Sequence, residues 1–178
     1  MTRFLFTLCC ALLPLSAWAQ RAKPPAGCPA FPAQCQVNAP VFNFGRHSMS
    51  STAPPVYTHG TISVTCTRHP QDRLSVNVEF ELNGLPAETD RQMRDQVGGA
   101  YLRYNMFVDA ARTRYWGDGS QGTEFFQSTC FLDERNRVCT VPFALYGKVD
   151  GGQQLVPPGK FLGAVVSRLE YRFLSCTP

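Results

Sequence analysis

Apolar and polar residues alternate along several short segments of the chain, with the two-residue period of half-buried β-strands. The clearest segment is 74–82, where aliphatic and aromatic residues alternate with serine, asparagine and glutamate. Segment 102–108 has the same period and is followed by a glycine-punctuated turn at 116–119. We predict further strands at 62–66, 125–131, 138–149 and 165–173.

Glycine and proline separate these segments, and the chain contains 14 of each. Asn83-Gly84 is a pair that commonly ends a strand in a turn. Residues 88–96 could form one or two helical turns, which Gly98-Gly99 would end. Many short alternating strands with such turns predict an all-β fold, an antiparallel sandwich, with a closed barrel as the alternative.

Residues 1–19 have the parts of a secretory signal peptide. Arg3 gives the positive start, residues 4–15 are mostly apolar, and Ala17-Trp18-Ala19 fits a cleavage site. The alternative is a membrane anchor, but a spanning helix needs roughly 18–20 apolar residues, which neither this run nor any later one reaches. We therefore expect export, cleavage before Gln20 and no membrane span.

Residues 20–34 contain Lys23, Pro24, Pro25 and Gly27 and lack an alternating pattern, which predicts a flexible leader. Residues 35–178 then form the folded domain. Removing 19 of the 178 residues leaves 159, enough for one domain. The loss of Arg3 lowers the formal charge from +4 to +3, and the arginines are scattered, so no nucleic-acid partner is predicted.

Two of the eight cysteines lie in the signal peptide, and the even number that remains behind an export signal favours disulfides. Cys130 and Cys139 flank a polar reversal, across which a bridge is geometrically easy. The histidines have no ligand-like spacing from the cysteines, so we predict neither a metal nor another cofactor. The remaining cysteines are Cys28, Cys35, Cys66 and Cys176.

The chain offers three weak leads to chemistry. Ser120 lies in a glycine-rich loop, but Asp118 occupies the place of the glycine that a nucleophile elbow requires. Glu79 and Glu81 share the polar face of one strand, as solvent-facing residues do, whereas glycosidase carboxylates come from separate elements. Trp116 with its aromatic neighbours could stack on a sugar, although filling the sandwich is the simpler role. We predict that the protein is not an enzyme.

Short motifs follow one another along the chain in a fixed order. They are Cys35-Gln36-Val37, Phe42-Asn43-Phe44-Gly45, Gly60-Thr61-Ile62-Ser63-Val64-Thr65-Cys66, Arg91-Gln92-Met93, Leu102-Arg103-Tyr104-Asn105-Met106-Phe107-Val108-Asp109-Ala110, Trp116-Gly117-Asp118-Gly119, Tyr146-Gly147-Lys148-Val149, Pro158-Gly159-Lys160-Phe161 and the last strand. In this order, over residues 33–173, the chain resembles the spore coat protein U domain family, which includes pilin subunits of the archaic chaperone–usher pathway.

The resemblance implies an immunoglobulin-like sandwich that lacks its final strand. A periplasmic pilus chaperone would fill the resulting groove, and the strand of a neighbouring pilin subunit would replace it by donor-strand complementation. An outer-membrane usher would assemble the fibre. The resemblance also implies a Cys35–Cys66 bridge, which with Cys130–Cys139 leaves Cys28 and Cys176 to each other.

The expected function is a subunit of an adhesive surface pilus, active in attachment and biofilm formation. Because the proline-rich leader lacks the pattern of a donor strand, we expect a terminal or minor subunit. The alternatives are a secreted coat or envelope protein and a monomeric carbohydrate-binding module. The residues expected to line the partner-strand groove are Val165, Leu169, Tyr171 and Phe173.

Overall fold

The computed structural model describes residues 20–21, 25–29, 32–46, 50–85, 89–153, 156 and 159–177. The predicted signal peptide lies outside these ranges. Every regular element within them is a β-strand, and none of them contains a helix long and apolar enough to cross a membrane. The strands are β1 (Gln20–Arg21), β2 (Ala33–Asn38), β3 (Val56–Arg68), β4 (Ser75–Leu85), β5 (Arg91–Asp95), β6 (Tyr101–Phe107), β7 (Phe126–Leu132), β8 (Val138–Val149), β9 (Phe161–Leu162) and β10 (Val166–Thr177).

The strands form two sheets. One has the order β1-β10-β4-β7 and the other has the order β2-β3-β8-β6-β5-β9. All pairs are antiparallel except β1 with β10, which is parallel. The predicted all-β, antiparallel sandwich is therefore confirmed.

The core lies between the two sheets and follows the predicted alternation. In β4 every second residue from Val76 to Leu82 is fully buried, and the residues between them are partly exposed on the outer face. Burying a large aliphatic or aromatic side chain stabilises the fold by about 1.5–3 kcal/mol, so this single strand makes a large contribution. The buried residues of β4 that face the core are Val76, Val78, Phe80 and Leu82.

The helical interpretation of residues 88–96 is wrong for 89–96, and residue 88 lies outside the described residues. Arg91–Asp95 is β5, which pairs with β6 on one side and β9 on the other. Arg91, Met93 and Asp95 are buried while Gln92 and Arg94 are exposed, so the segment has the period of a strand. Its pairing with two neighbours decides the conformation because intrinsic helix propensity is a weak preference.

Asn83-Gly84 does not end β4, as expected, but lies within it. The strand continues to Leu85, and both residues pair with β10. A Cβ atom on Gly84 would lie 2.7 Å from Cδ2 of Trp116. The glycine is therefore required by the close approach of the indole ring, and not by a turn.

The three cysteine pairs are Cys28–Cys176, Cys35–Cys66 and Cys130–Cys139, with Cα–Cα separations of 5.3, 4.0 and 5.9 Å. Cys35 and Cys66 are directly opposite each other on β2 and β3. Cys130 is on β7 and Cys139 is on β8, so their bond joins the two sheets. These are the three pairs expected from the turn geometry and from the resemblance.

The leader differs from its predicted bounds. β2 begins at Ala33, two residues before the predicted start of the folded domain at residue 35. Gln20 and Arg21 lie beside β10, opposite Glu170 and Tyr171. Cys28 is bonded to the penultimate residue of that strand. The leader is thus attached to β10 at two points.

A candidate strand-docking groove beside the last strand

The two edges of β10 differ in their pairing. On one edge the strand pairs antiparallel with β4 from Val166 to Thr177. On the other edge, within the described part of the chain, it pairs only at Glu170 and Tyr171, with β1. Most of this second edge therefore presents backbone groups without a strand partner among the described residues, which is the arrangement that templates the addition of another strand.

Every second side chain of β10 points into the sandwich, and the buried ones are apolar or aromatic. Leu169, Tyr171 and Phe173 are buried, and the rings of Tyr171 and Phe173 are in edge contact with centroids 5.8 Å apart. A bulge at Leu174 then adds one residue to the strand. The bulge reverses the alternation, so that Cys176 lies on the face where it can bond to Cys28.

The segment that follows β2 lies on the other side of the groove. It contains Phe42 and Phe44, which are partly buried against the core. A Cβ atom on Gly60 would lie only 2.9 Å from Cε1 of Phe42. A Cβ atom on Gly147 would lie 2.8 Å from Cε1 of Phe44. The Phe44 ring also contacts Tyr104, with centroids 5.8 Å apart. The absence of side chains at the two glycines lets this segment lie close to β3 and β8.

Two cavities open between this segment and the start of β10. One has a volume of about 310 Å³ and reaches Val165 and Ser167. The other has a volume of about 770 Å³ and extends past Gly159 and Leu102. They share a mostly apolar lining, and Val41 at their mouth is 95% exposed. The shared residues are Val41, Phe42, Phe44, Met93, Phe161 and Leu162.

Trp116 forms part of the wall of the smaller cavity. Its indole Nε1 donates to the carbonyl of Leu82 at 3.3 Å, and its own carbonyl accepts from Nη2 of Arg91 at 2.5 Å. A Cβ on Gly117 would lie 2.2 Å from Oγ1 of Thr123, so the loop can close over the indole only with glycine there. Nearby, burial raises the pKa of Tyr104, an effect that the charge of Arg91 partly offsets. The Tyr104 side chain in this wall is therefore neutral, and hydrogen bonds hold the Trp116 ring and backbone in place.

Comparison with protein families matches residues 26–167 to the Spore Coat Protein U domain. The chain belongs to this family. The resemblance seen in the sequence is thus confirmed over most of the length of the chain.

Among solved structures, this chain is similar to one described as the CsuC–CsuE chaperone–tip adhesion subunit pre-assembly complex from archaic chaperone–usher Csu pili of Acinetobacter baumannii. The identity is 17% and the TM-score is 0.44. The match covers 78% of this chain and 39% of that one, so this chain spans about two fifths of its length. No curated protein matches the chain.

The four predicted groove residues of the spore coat protein U domain have different positions. Val165 precedes β10 and lines the smaller cavity. Leu169, Tyr171 and Phe173 are part of the packed core instead. Phe42, Phe44 and Phe161, which also line the cavities, were not among the predicted groove residues. The Phe-Asn-Phe-Gly motif was the only signal for the first two, and it lies in a segment with no strand pattern of its own.

The other candidate residues serve the fold. Trp116 is 2% exposed, so the idea of a sugar-stacking platform built on this residue is wrong. Ser120 donates to Oδ1 of Asp118 at 2.6 Å, and this bond is the main reason that the pKa of Asp118 is lowered. Glu79 forms an ion pair with Arg172 on the outer face and accepts from Nε2 of Gln127 at 3.0 Å. Within the described residues, no three His, Cys, Asp or Glu side chains are grouped to hold a metal.

Proposed function

We propose that this protein is an exported, non-enzymatic subunit of an adhesive chaperone–usher surface fibre, acting in attachment and biofilm formation. The observation that carries the proposal is the open edge of β10, which is paired along one side with β4 and along the other only at Glu170 and Tyr171 among the described residues. Membership of the spore coat protein U domain family supports it, since pilin subunits are among the members that the sequence resembles.

The physical basis is β-augmentation. An incoming strand would gain main-chain hydrogen bonds from β10, and its alternate side chains would enter the apolar cavities next to Val165 and Phe161. An open edge beside apolar cavities is otherwise an aggregation hazard. A periplasmic chaperone would therefore cover the edge before an outer-membrane usher brings a neighbouring subunit's strand to it.

The leader supports a terminal or minor position in the fibre. A donor strand needs alternating apolar residues, and Arg21, Lys23, Pro24 and Pro25 do not supply them. The Cys28–Cys176 bond also holds the leader to its own domain. Such a subunit would accept a neighbour's strand without donating one.

Expression in an oxidising periplasm tests the proposal. Without its cognate pilus chaperone the protein should aggregate or be degraded, and with it the two should co-purify in a one-to-one complex. A protein that accumulates alone as a soluble, cooperatively melting monomer would contradict the proposal. That outcome would favour a coat or envelope protein, the second candidate, which the description of the family supports.

A matched pair of variants tests where the strand docks. Val165 lines the cavity, whereas its neighbour Val166 is 50% exposed. Val165→Asp would place a charge in an apolar cavity and should weaken chaperone binding at least about tenfold. Val166→Asp should change binding by less than about threefold, because the carboxylate stays in water. Equal effects of the two substitutions would mean that the strand docks elsewhere.

A further inference from the structure

A polar cavity lies at the opposite end of the sandwich from the groove. It has a volume of about 430 Å³ and is formed by the β3–β4 connection and the β7–β8 turn. The β3–β4 connection leads to Ser75 at the start of β4, whereas the groove cavities reach Val165, which lies next to the partner of Leu85 at the other end. β4 has 11 residues, and at about 3.3 Å per residue its length separates the two regions by about 30 Å.

Charged side chains dominate the lining of this cavity. Three guanidinium groups and two carboxylates face it, so the lining carries a net positive charge. None of these five side chains forms an ion pair within the part of the chain that the structure describes. The five residues are Arg68, Arg73, Arg137, Asp72 and Glu134.

Arg68 is the most buried of the five, with 4% of its surface exposed. Its Nη1 donates to the carbonyl of Leu74 at 3.2 Å, but its Nε is buried without a hydrogen-bond partner among the described residues. Asp133 is near enough to sense this charge, since its pKa is lowered first by the N–H of Asn136 and further by Arg68. A buried guanidinium without a paired anion is costly, and an oxyanion in the cavity would reduce that cost.

Hydrogen bonds between the two connections hold the arginines in place. The backbone N–H of Arg68 donates to the carbonyl of Arg137 at 2.9 Å, and Nη2 of Arg137 donates to the carbonyl of Pro70 at 2.8 Å. A guanidinium group has more N–H donors than these bonds use, so both side chains keep donors for a ligand. Their planar geometry matches the oxygens of an oxyanion. Because the groups are held before a ligand arrives, little conformational entropy is lost on binding.

We propose that this cavity binds the oxyanion group of an acidic sugar, which is a carboxylate, a sulfate or a phosphate. The volume of about 430 Å³ lies within the range of about 300–1,000 Å³ that is common for small-molecule sites. Apart from Pro70, the residues of the lining are polar or charged, which suits the hydroxyl groups of a sugar. The site uses neither β10 nor the groove, so it goes beyond the proposed function.

A titration followed by NMR tests the site. The probes are glucose 6-phosphate and glucuronate, with glucose as the uncharged control and inorganic phosphate as the control for a free ion. The exported protein can be used alone or bound to a chaperone, because the groove lies at the other end of β4. At low salt, at least one acidic sugar should bind with a dissociation constant of about 0.1–1 mM. Glucose and inorganic phosphate should both bind at least about threefold more weakly, because each lacks one part of the ligand.

Matched variants locate the site. Arg73→Gln and Arg137→Gln each remove one exposed guanidinium group from the lining. Arg135→Gln removes the same charge from the same β7–β8 turn, but Arg135 does not line the cavity. The first two substitutions should weaken binding of the acidic sugar at least about fivefold, because each removes charge-assisted hydrogen bonds. Arg135→Gln should weaken it less than about twofold, since it removes only a screened charge.

Three results would overturn the proposal. One is a wild type that binds neither acidic sugar. Another is glucose or inorganic phosphate binding as tightly as the better acidic sugar, because the ligand would then need only one of its two parts. The third is an equal loss of affinity in all three variants, which would assign the attraction to the general charge of this end and not to the cavity. None of these results depends on whether the groove accepts a strand, so the two proposals stand or fall separately.

Discussion

The two ends of the sandwich are held together in different ways. We call the end that carries the β3–β4 and β7–β8 connections the stapled end. All three disulfides lie there: five of the cysteines are within three residues of the end of a strand, and Cys28 precedes β2. At the open end, where β10 begins, no described residue forms a disulfide, and aromatic rings pack against Gly60, Gly84 and Gly147.

The difference between the two ends suggests that the disulfides at one end stabilise the fold, while the cavities at the other end are available for binding. A disulfide constrains the unfolded chain, and its contribution does not depend on whether the groove is filled. Packing at the open end does depend on it, because the cavities beside Phe42 and Phe161 leave side chains without neighbours. Under the proposed function, a subunit that accepts a partner's strand would fill its open end only on assembly, while the stapled end maintains the fold.

Removing the longest bridge should have the largest effect. Replacing Cys28 and Cys176 with serine opens a link of 148 residues, for which chain entropy gives a loss of up to about 5 kcal/mol in the free energy of unfolding. Replacing Cys130 and Cys139 opens a link of 9 residues, and the same relation gives about 3 kcal/mol. Guanidinium unfolding midpoints of the two double variants provide the comparison. A larger loss from the short link would mean that strain or packing, and not chain entropy, determines the contribution.

A single substitution checks the pairing itself. Cys28→Ser should expose one new thiol, at Cys176, which alkylation and peptide mass spectrometry can locate. A thiol at any other cysteine would contradict the pairing.

At the open end, a larger side chain at a glycine that packs against an aromatic ring should lower stability. A Cβ at Gly84 would lie 2.7 Å from the Trp116 ring, so Gly84→Ala should lower the free energy of unfolding by about 1–3 kcal/mol. Trp116→Leu removes the ring that would clash, but it leaves a cavity of its own. In a double-mutant cycle measured by chemical unfolding, the two substitutions should be less harmful together than the sum of their separate effects. Strict additivity would mean that the ring does not limit residue 84.

The sequence predicted the parts of the fold that follow a strict local period. The alternation predicted for β4 and β8 reappears in their burial patterns, and the polar reversal between Cys130 and Cys139 is a bridged turn. In β6 the alternation holds only as far as Tyr104, because Asn105 and Phe107, predicted on the exposed face, are buried as well. β5 was not predicted because its buried residues include Arg91 and Asp95, which read as polar in any hydrophobic pattern. Their burial depends on contacts such as the bond from Arg91 to Trp116, 25 residues away in the chain.

The groove was predicted only in part for a related reason. Val165 could be placed beside the last strand from the pattern, but Phe42 and Phe44 reach the groove through glycines on two other strands. Gly60 and Gly147 are 87 residues apart, and their contacts with one short segment are set by the pairing of β3 with β8. No local pattern contains that information.

Acid should produce the smallest difference between the two ends. At the stapled end, the pKa of Asp133 is lowered, first by the N–H of Asn136, which donates to its Oδ1 at 2.6 Å, and then by the N–H of Arg135. A carboxyl group with a lowered pKa stabilises the fold above its ordinary pKa of about 3.9, and this stabilisation is lost as the pH falls through the lower value of the folded state.

At the open end, Asp109 is slightly desolvated, but hydrogen bonds from Arg114 and Thr113 outweigh this effect and lower its pKa. Unfolding midpoints of Asp133→Ala and Asp109→Ala, measured at about pH 7 and about pH 2.5, should each lie below the wild type only at the higher pH, with shifts that are small because both carboxylates are exposed. A shift that persists at the lower pH would assign the effect to the shape of the turn and not to the charge.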